Sequence, residues 1–172
     1  LAFAAPVFGT GMAGIVYAQE KTGWVEESAG EWKYYDSDGY MLTDSWKKQG
    51  NDWYYLDEDG SVAVSRQVDE YYVDESGKRV SDTWLSVDND EWFDDAPMNY
   101  WFYYGKNGKM VTDKWMSIDG QWYYFDGEGH MLTGLQEVGE ATYYFGDDGA
   151  RKYGWFQLEE TDESLDREFS WF

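Results

Sequence analysis

The sequence predicts an all-β fold, a solenoid of about six to seven stacked β-hairpins, and three observations predict it. First, the line W-Y-Y-F-D-G-E-G-H-M-L-T (Trp122 to Thr133) recurs in variant form six times. The copies bring Gly39, Gly60, Gly77, Gly108, Gly129 and Gly149 into register, each with a tyrosine five residues earlier: Tyr34, Tyr55, Tyr72, Tyr103, Tyr124 and Tyr144. Second, these glycines are 21, 17, 31, 21 and 20 residues apart. A unit of about twenty residues buries no core of its own, so stacked neighbours must supply one. Third, no stretch of the array carries an apolar period of 3.6, which leaves essentially no helix there.

Each unit reads as one hairpin. A first strand begins near a tryptophan (Trp24, Trp46, Trp84, Trp115, Trp155) and runs about five residues. A polar turn follows, as at Ser28-Ala29-Gly30, Gln49-Gly50-Asn51-Asp52 and Asp119-Gly120. The second strand is the aromatic line itself, because aromatic and β-branched residues favour strands while Gly, Asn and Asp set hairpin turns. An Asp-x-x-Gly turn closes the hairpin at Asp36 to Gly39, Asp57 to Gly60 and Asp126 to Gly129. The aspartate bonds its own turn backbone and the glycine accepts positive φ, so this turn specifies itself.

Two units are irregular in length and a third in its tryptophans. The third (Ser65 to Ser81) is short, with Gln67 or Val68 and Glu70 where others carry tryptophan. The fourth carries an insertion, Asp88 to Asn99, in its hairpin turn, and its strand resumes at Trp101. The sixth has Leu135 and Thr142 at the tryptophan positions. The ending Ser170-Trp171-Phe172 looks like the opening of a seventh aromatic strand. The array is therefore read as 23–172, cut off at its C-terminus.

Composition narrows the function. Aromatic residues make up 21% of the chain, with 11 Trp and 16 Tyr, so the core must consist largely of stacked rings. A net charge of −22 argues against nucleic-acid and anionic-membrane binding, which need a basic face, and suits a cationic or neutral partner. There are no cysteines, hence no disulfide or thiolate metal site. Residues 1–18 are apolar, small and uncharged, and end in Val16-Tyr17-Ala18, a small-x-small pattern suited to signal-peptidase cleavage. They read as part of a secretion signal peptide, with 19–22 a short linker, so no membrane segment is expected in the mature form.

Four units place two tryptophans on opposing strands: Trp24/Trp32, Trp46/Trp53, Trp84/Trp101 and Trp115/Trp122. A tyrosine of the following hairpin (Tyr55, Tyr72, Tyr124 and Tyr144 respectively) is expected as a third wall, with Met41, Met110 and Met131 closing floors. Three rings around a water-excluded gap suit a quaternary ammonium group, each face contributing roughly 0.5–1 kcal/mol when exposed and about 2 when desolvated. Three faces give about 3–5 kcal/mol, or about millimolar affinity, which repetition along a polymeric ligand would multiply. The opposing reading is that the same rings only hold the solenoid together. The tyrosine is present in all six units while the tryptophan pair is missing from two, which separates scaffold from candidate site.

These features resemble the choline-binding, or cell-wall-binding, repeats of Gram-positive surface proteins and lysins. The resemblance rests on Gly23-Trp24, Trp32 through Thr43, Asp113-Lys114-Trp115 and Trp122 through Thr133. It implies a left-handed β-solenoid with choline of teichoic acid, or of another polysaccharide, held between consecutive hairpins of a secreted, cell-wall-associated protein. Related repeats in glucan-binding proteins and clostridial toxins take carbohydrate, so a glucan or host glycan is the rival ligand. A structural adhesin stalk and the targeting module of a cell-wall hydrolase are the competing roles.

Nothing marks an enzyme within the array. The 35 carboxylates guarantee pairs at any spacing, so paired acids carry no argument. The lone His130 falls in a turn and reads as solvated; no nucleophile elbow, P-loop or metal motif is present. Neither a cofactor nor a metal is expected.

Overall fold

The computed structural model describes residues 21–89 and 98–154. The segment 1–18 expected to be a signal peptide, most of the insertion with Trp92 and Phe93, Trp155 and the ending at Phe172 lie outside the described residues. The chain divides at Ala63/Val64 into two compact units. The first holds β1 (Gly23–Ser28), β2 (Glu31–Tyr35), β3 (Ser45–Gln49) and β4 (Asp52–Leu56). The second holds β5 (Arg66–Val68), β6 (Tyr71–Val73), β7 (Thr83–Asp88), β8 (Asn99–Tyr104), β9 (Lys114–Ile118), β10 (Gln121–Phe125), β11 (Gly134–Val138) and β12 (Ala141–Phe145). Consecutive strands pair antiparallel as six separate hairpins, and the described residues contain no helix. The fold class is the expected one, all-β and built of hairpin repeats.

The turns follow the local chemistry. Val68↔Tyr71, Ile118↔Gln121 and Val138↔Ala141 close two-residue loops. Asp119 and Gly120 have φ of 51° and 80°, the left-handed pair a type I′ hairpin requires. The short third unit keeps only three residues per strand. In the fourth, the strands lengthen to Asp88↔Asn99, and the Asn99 amide donates to Asp88 Oδ1 at 2.8 Å.

The Asp-x-x-Gly turns behave as the sequence requires. Asp36 Oδ1 accepts from the N–H groups of Asp38 and Tyr40, both at 2.9 Å, and Asp126 Oδ1 does the same for Glu128 and His130. Where glycine replaces that aspartate, at Gly105 and Gly146, Asn107 and Asp148 two residues later take over the accepting role. All six register glycines have positive φ, between 71° and 90°. Beyond each turn the chain folds back on its own second strand through single bridges such as Phe125↔Met131 and Phe145↔Arg151.

The glycines also provide space. A Cβ on Gly60 would lie 2.6 Å from Met41 Sδ, and one on Gly129 would lie 3.0 Å from Met110 Sδ. Each thioether rests on the glycine of the next hairpin, where any side chain would displace it.

In both units the fully buried side chains stand four residues before those glycines: Leu56 at 0% exposure in the first, and Val73 at 0%, Tyr104 at 1%, Phe125 and Phe145 at 0% in the second. The register tyrosines form a second layer. Tyr103 is buried and its hydroxyl donates to Asp82 Oδ1 at 2.6 Å; Tyr124 donates to Asp113 Oδ1 at 2.9 Å. Asp82 and Asp113 stand in the linkers with φ of 51° and 49°. The phenol therefore holds a non-glycine residue in the left-handed region, where backbone strain opposes it.

Two outcomes test this scaffold. Gly129→Ala should cost about 2 kcal/mol in urea unfolding, combining left-handed strain with displacement of Met110. Burial, then the bond to Asp82, pushes the Tyr103 phenol up to about 12, and burial does the same for Tyr104. An unfolded phenol ionises near its ordinary value of 10, so this stability is fully present below pH 10 and lost as pH rises towards 12. Thermal midpoints measured from pH 8 to 12 should fall across that window.

Candidate aromatic cages

Strand alternation decides which rings meet. In β10, Trp122 and Tyr124 project to one face while Tyr123 and Phe125 project to the other. Trp115 lies directly across from Tyr124 and Trp122 across from Ser117, so both tryptophans share the forward face with Tyr124. The backward face meets the preceding hairpin: Trp84 lies 5.0 Å from Tyr123 and 5.7 Å from Phe125 between ring centroids. The next junction repeats this geometry, with Trp115 at 4.8 Å from Tyr143 and 5.6 Å from Phe145. In the first unit Trp24 meets Tyr54 at 5.5 Å.

This corrects the third wall. Tyr55 pairs with Trp46 of its own hairpin at 5.3 Å, and Tyr124 with Trp115 at 5.4 Å. Tyr144 stands across from Leu135, and Tyr72 stands across from Gln67 and packs on Tyr104 at 6.1 Å. The tyrosine one position earlier (Tyr54, Tyr123, Tyr143) is the one that reaches back to the preceding tryptophan. Trp46 and Trp53 belong to the first compact unit and Tyr72 to the second.

One tryptophan pair lines a cavity. Trp84, Trp101, Tyr123 and Met131, with Asp147 and Asp148, line a cavity of about 290 Å³. Trp84 and Trp101 stand edge-to-face at 6.5 Å and 79°. The backbone N–H of Met131 donates to the Trp101 carbonyl at 2.8 Å, which sets the thioether beside the tryptophan pair. The two aspartates bring negative charge to the rim. Asp148 accepts from Lys152 Nζ at 2.9 Å, and this bond holds its carboxyl below the usual carboxylate range. Apolar rings with a carboxylate rim can attract a cation.

The other methionines are placed differently. Met110 donates its N–H to the Glu70 carbonyl at 2.7 Å, beside a hairpin that lacks both tryptophans. Met41 bridges Tyr35, and among the described residues no hairpin precedes it. For the pair Trp24/Trp32 the register position of Met131 is held by Val62, across from Leu56. For Trp115/Trp122 it is held by Arg151.

The tryptophans divide into two kinds. Trp84 packs against the buried cluster of Tyr103, Val111, Ile118 and Phe125, so it is both core and cage wall. Trp101 and Trp122 remain 43% and 44% exposed. Packing alone does not require these second rings. His130 departs from the solvated reading: its ring stacks on Tyr100 at 4.1 Å and its Nδ1 lies 3.2 Å from Asp126 Oδ2. Among the described residues no group of His, Asp or Glu is arranged to hold a metal ion.

Comparison with known proteins identifies the repeats. Residues 21–67 and 98–133 match the choline-binding repeat, and residues 133–150 match the putative cell wall binding repeat. The chain belongs to the choline-binding, or cell-wall-binding, repeat family. Among solved structures it is similar to CbpJ from Streptococcus pneumoniae TIGR4, with 30% identity and a TM-score of 0.57, over 77% of this chain and 42% of that one. Choline binding protein F of Streptococcus pneumoniae gives 33%, 0.56, 77% and 42% for the same measures. The modular autolysin LytC of Streptococcus pneumoniae gives 27%, 0.50, 77% and 33%. The chain thus spans less than half the length of each. No match was found among curated protein sequences.

The division between the two kinds of tryptophan is measurable. Trp84→Ala should cost about 3 kcal/mol or more in urea unfolding, as truncation of a large core ring does. Trp101→Ala should change stability by less than about 1 kcal/mol, as a surface substitution does.

Proposed function

We propose that this array is a non-catalytic module that binds choline-type quaternary ammonium groups on a bacterial cell-wall polymer and so tethers a secreted protein to the envelope. The observation that carries the reading is the cavity between Trp84, Trp101, Tyr123 and Met131 with Asp147 and Asp148 at its rim. A trimethylammonium group has no N–H to donate. It is held by ring faces and dispersion, with carboxylates supplying long-range attraction. A chain of net charge −22 adds a field that draws a cation and repels nucleic acid. Membership of the choline-binding repeat family supports the same ligand.

Single cages of this kind reach about millimolar affinity, and cages linked on one chain gain roughly 10²–10⁴-fold against a polymeric ligand. Tethering therefore comes from valency. The autolysin among the relatives supports a role as the targeting part of a larger protein, and residues 1–18 support export.

Choline titration followed by tryptophan fluorescence should saturate in the millimolar range, and Trp101→Ala should weaken the signal while leaving the fold intact by circular dichroism. A flat choline titration together with a response to dextran would replace this ligand with a glycan. A flat response to both would leave a structural stalk.

A further inference from the structure

The junction behind Trp115 and Trp122 is built like the open cage, with one change. Met131 and Arg151 occupy equivalent positions: the first bridges Phe125, the second bridges Phe145. Met131 donates its N–H to the carbonyl of Trp101 at 2.8 Å, and Arg151 donates its N–H to the carbonyl of Trp122 at 2.7 Å. Both side chains thus start from the same point beside a tryptophan pair. Met131 lines a cavity. The Arg151 guanidinium instead lies 5.5 Å from the Trp115 ring centroid, 4.6 Å from Tyr143 and 4.5 Å from Tyr153.

We propose that Arg151 fills the Trp115–Trp122–Tyr143 cage with the chain's own cation and closes it to quaternary ammonium ligands, leaving the Trp84–Trp101–Tyr123–Met131 cage open. This inference rests on the reading of the open cage as a quaternary ammonium site.

The chemistry favours the internal cation. A guanidinium is planar, permanently charged and weakly hydrated, so it stacks on aromatic faces at low desolvation cost. It offers the cage the same attraction a ligand would offer, without the loss of translational freedom that a free ligand suffers. A group tethered a few bonds from its site acts at an effective concentration on the order of millimolar or above. That matches or exceeds the concentration at which a free ligand half-fills a cage of this strength. Tyr153, largely exposed, adds a further ring 4.5 Å from the guanidinium, beside Tyr143 at 4.6 Å.

The same replacement occurs once more. Arg79 bridges Val73 at the equivalent position, and its guanidinium lies 5.0 Å over Tyr71, the tyrosine that corresponds to Tyr143. Arginine at this position thus settles on the ring of its own hairpin in two independent repeats. Behind Trp115 and Trp122, the residue two after the register glycine decides whether the tryptophan pair is available.

The test compares the full chain with Arg151→Met, which copies the residue of the open cage. Isothermal titration with choline chloride should show one additional site per chain in Arg151→Met; an unchanged stoichiometry would overturn the proposal. A second readout needs no ligand. In ¹H–¹⁵N spectra of the native chain, the Arg151 Nε–Hε signal should lie upfield of the random-coil position through ring currents and should return towards it in Trp115→Ala. A random-coil position in the native chain would also overturn the proposal. If neither protein binds choline, the ligand reading of the open cage falls, and the spectrum alone decides whether Arg151 fills its cage.

Discussion

A two-stranded hairpin is marginal in water, and these twelve described strands form nothing larger than hairpins. Within each compact unit, ring contacts from one hairpin to the next help them persist. At two junctions of the second compact unit a first tryptophan receives a tyrosine and a phenylalanine from the back of the next hairpin: Trp84 takes Tyr123 and Phe125, and Trp115 takes Tyr143 and Phe145. Centroid separations near 5 and 5.7 Å recur at both junctions, within the range where edge-to-face and tilted rings attract. At these junctions the repeat length, the turn and the buried residues bring the next back face onto the previous front face. The candidate site is a by-product of that junction, because two of its walls are rings the stack already needs.

This sharing separates what the sequence makes legible from what it hides. The hairpins, the left-handed glycines and the aspartate turns are local, and each follows from residues within five positions of one another. Tertiary context had little to override there. The wall tyrosine is a different matter, since it depends on register across a junction. A shift of one residue turns a side chain to the other face, so choosing Tyr124 in place of Tyr123 assigns the ring to the wrong hairpin. Counting outward from the Asp119-Gly120 turn pairs Trp115 with Tyr124 and leaves Tyr123 facing backward. The bond from Tyr103 to Asp82 was hidden for another reason: nothing local links a strand tyrosine to a linker aspartate 21 residues earlier.

Cations on ring faces recur in this strongly acidic chain. Lys47 Nζ lies 3.9 Å from the Tyr34 ring centroid, Arg79 sits over Tyr71, and Arg151 contacts three rings. Aromatic faces that attract a methylated ammonium attract the protein's own cations by the same quadrupole. A repeat protein that binds cations therefore carries an internal competitor wherever a Lys or Arg falls beside a cage. Methionine at the same position is neutral, and Met131 lines the cavity beside Trp84 and Trp101.

Valency then becomes a property of single positions. For one weak site, closing it removes one increment of affinity. For a tether on a repeating polymer, each linked site multiplies the apparent affinity through effective concentration, so removing one lowers attachment by a factor. Exchange of methionine for arginine leaves the hairpin, the backbone bond to the second tryptophan and the ring stack in place, as the matching bonds of Met131 and Arg151 demonstrate. The scaffold and the number of candidate sites can therefore vary separately, because the ring that holds the stack is fixed while the side chain at the mouth of the cage is not.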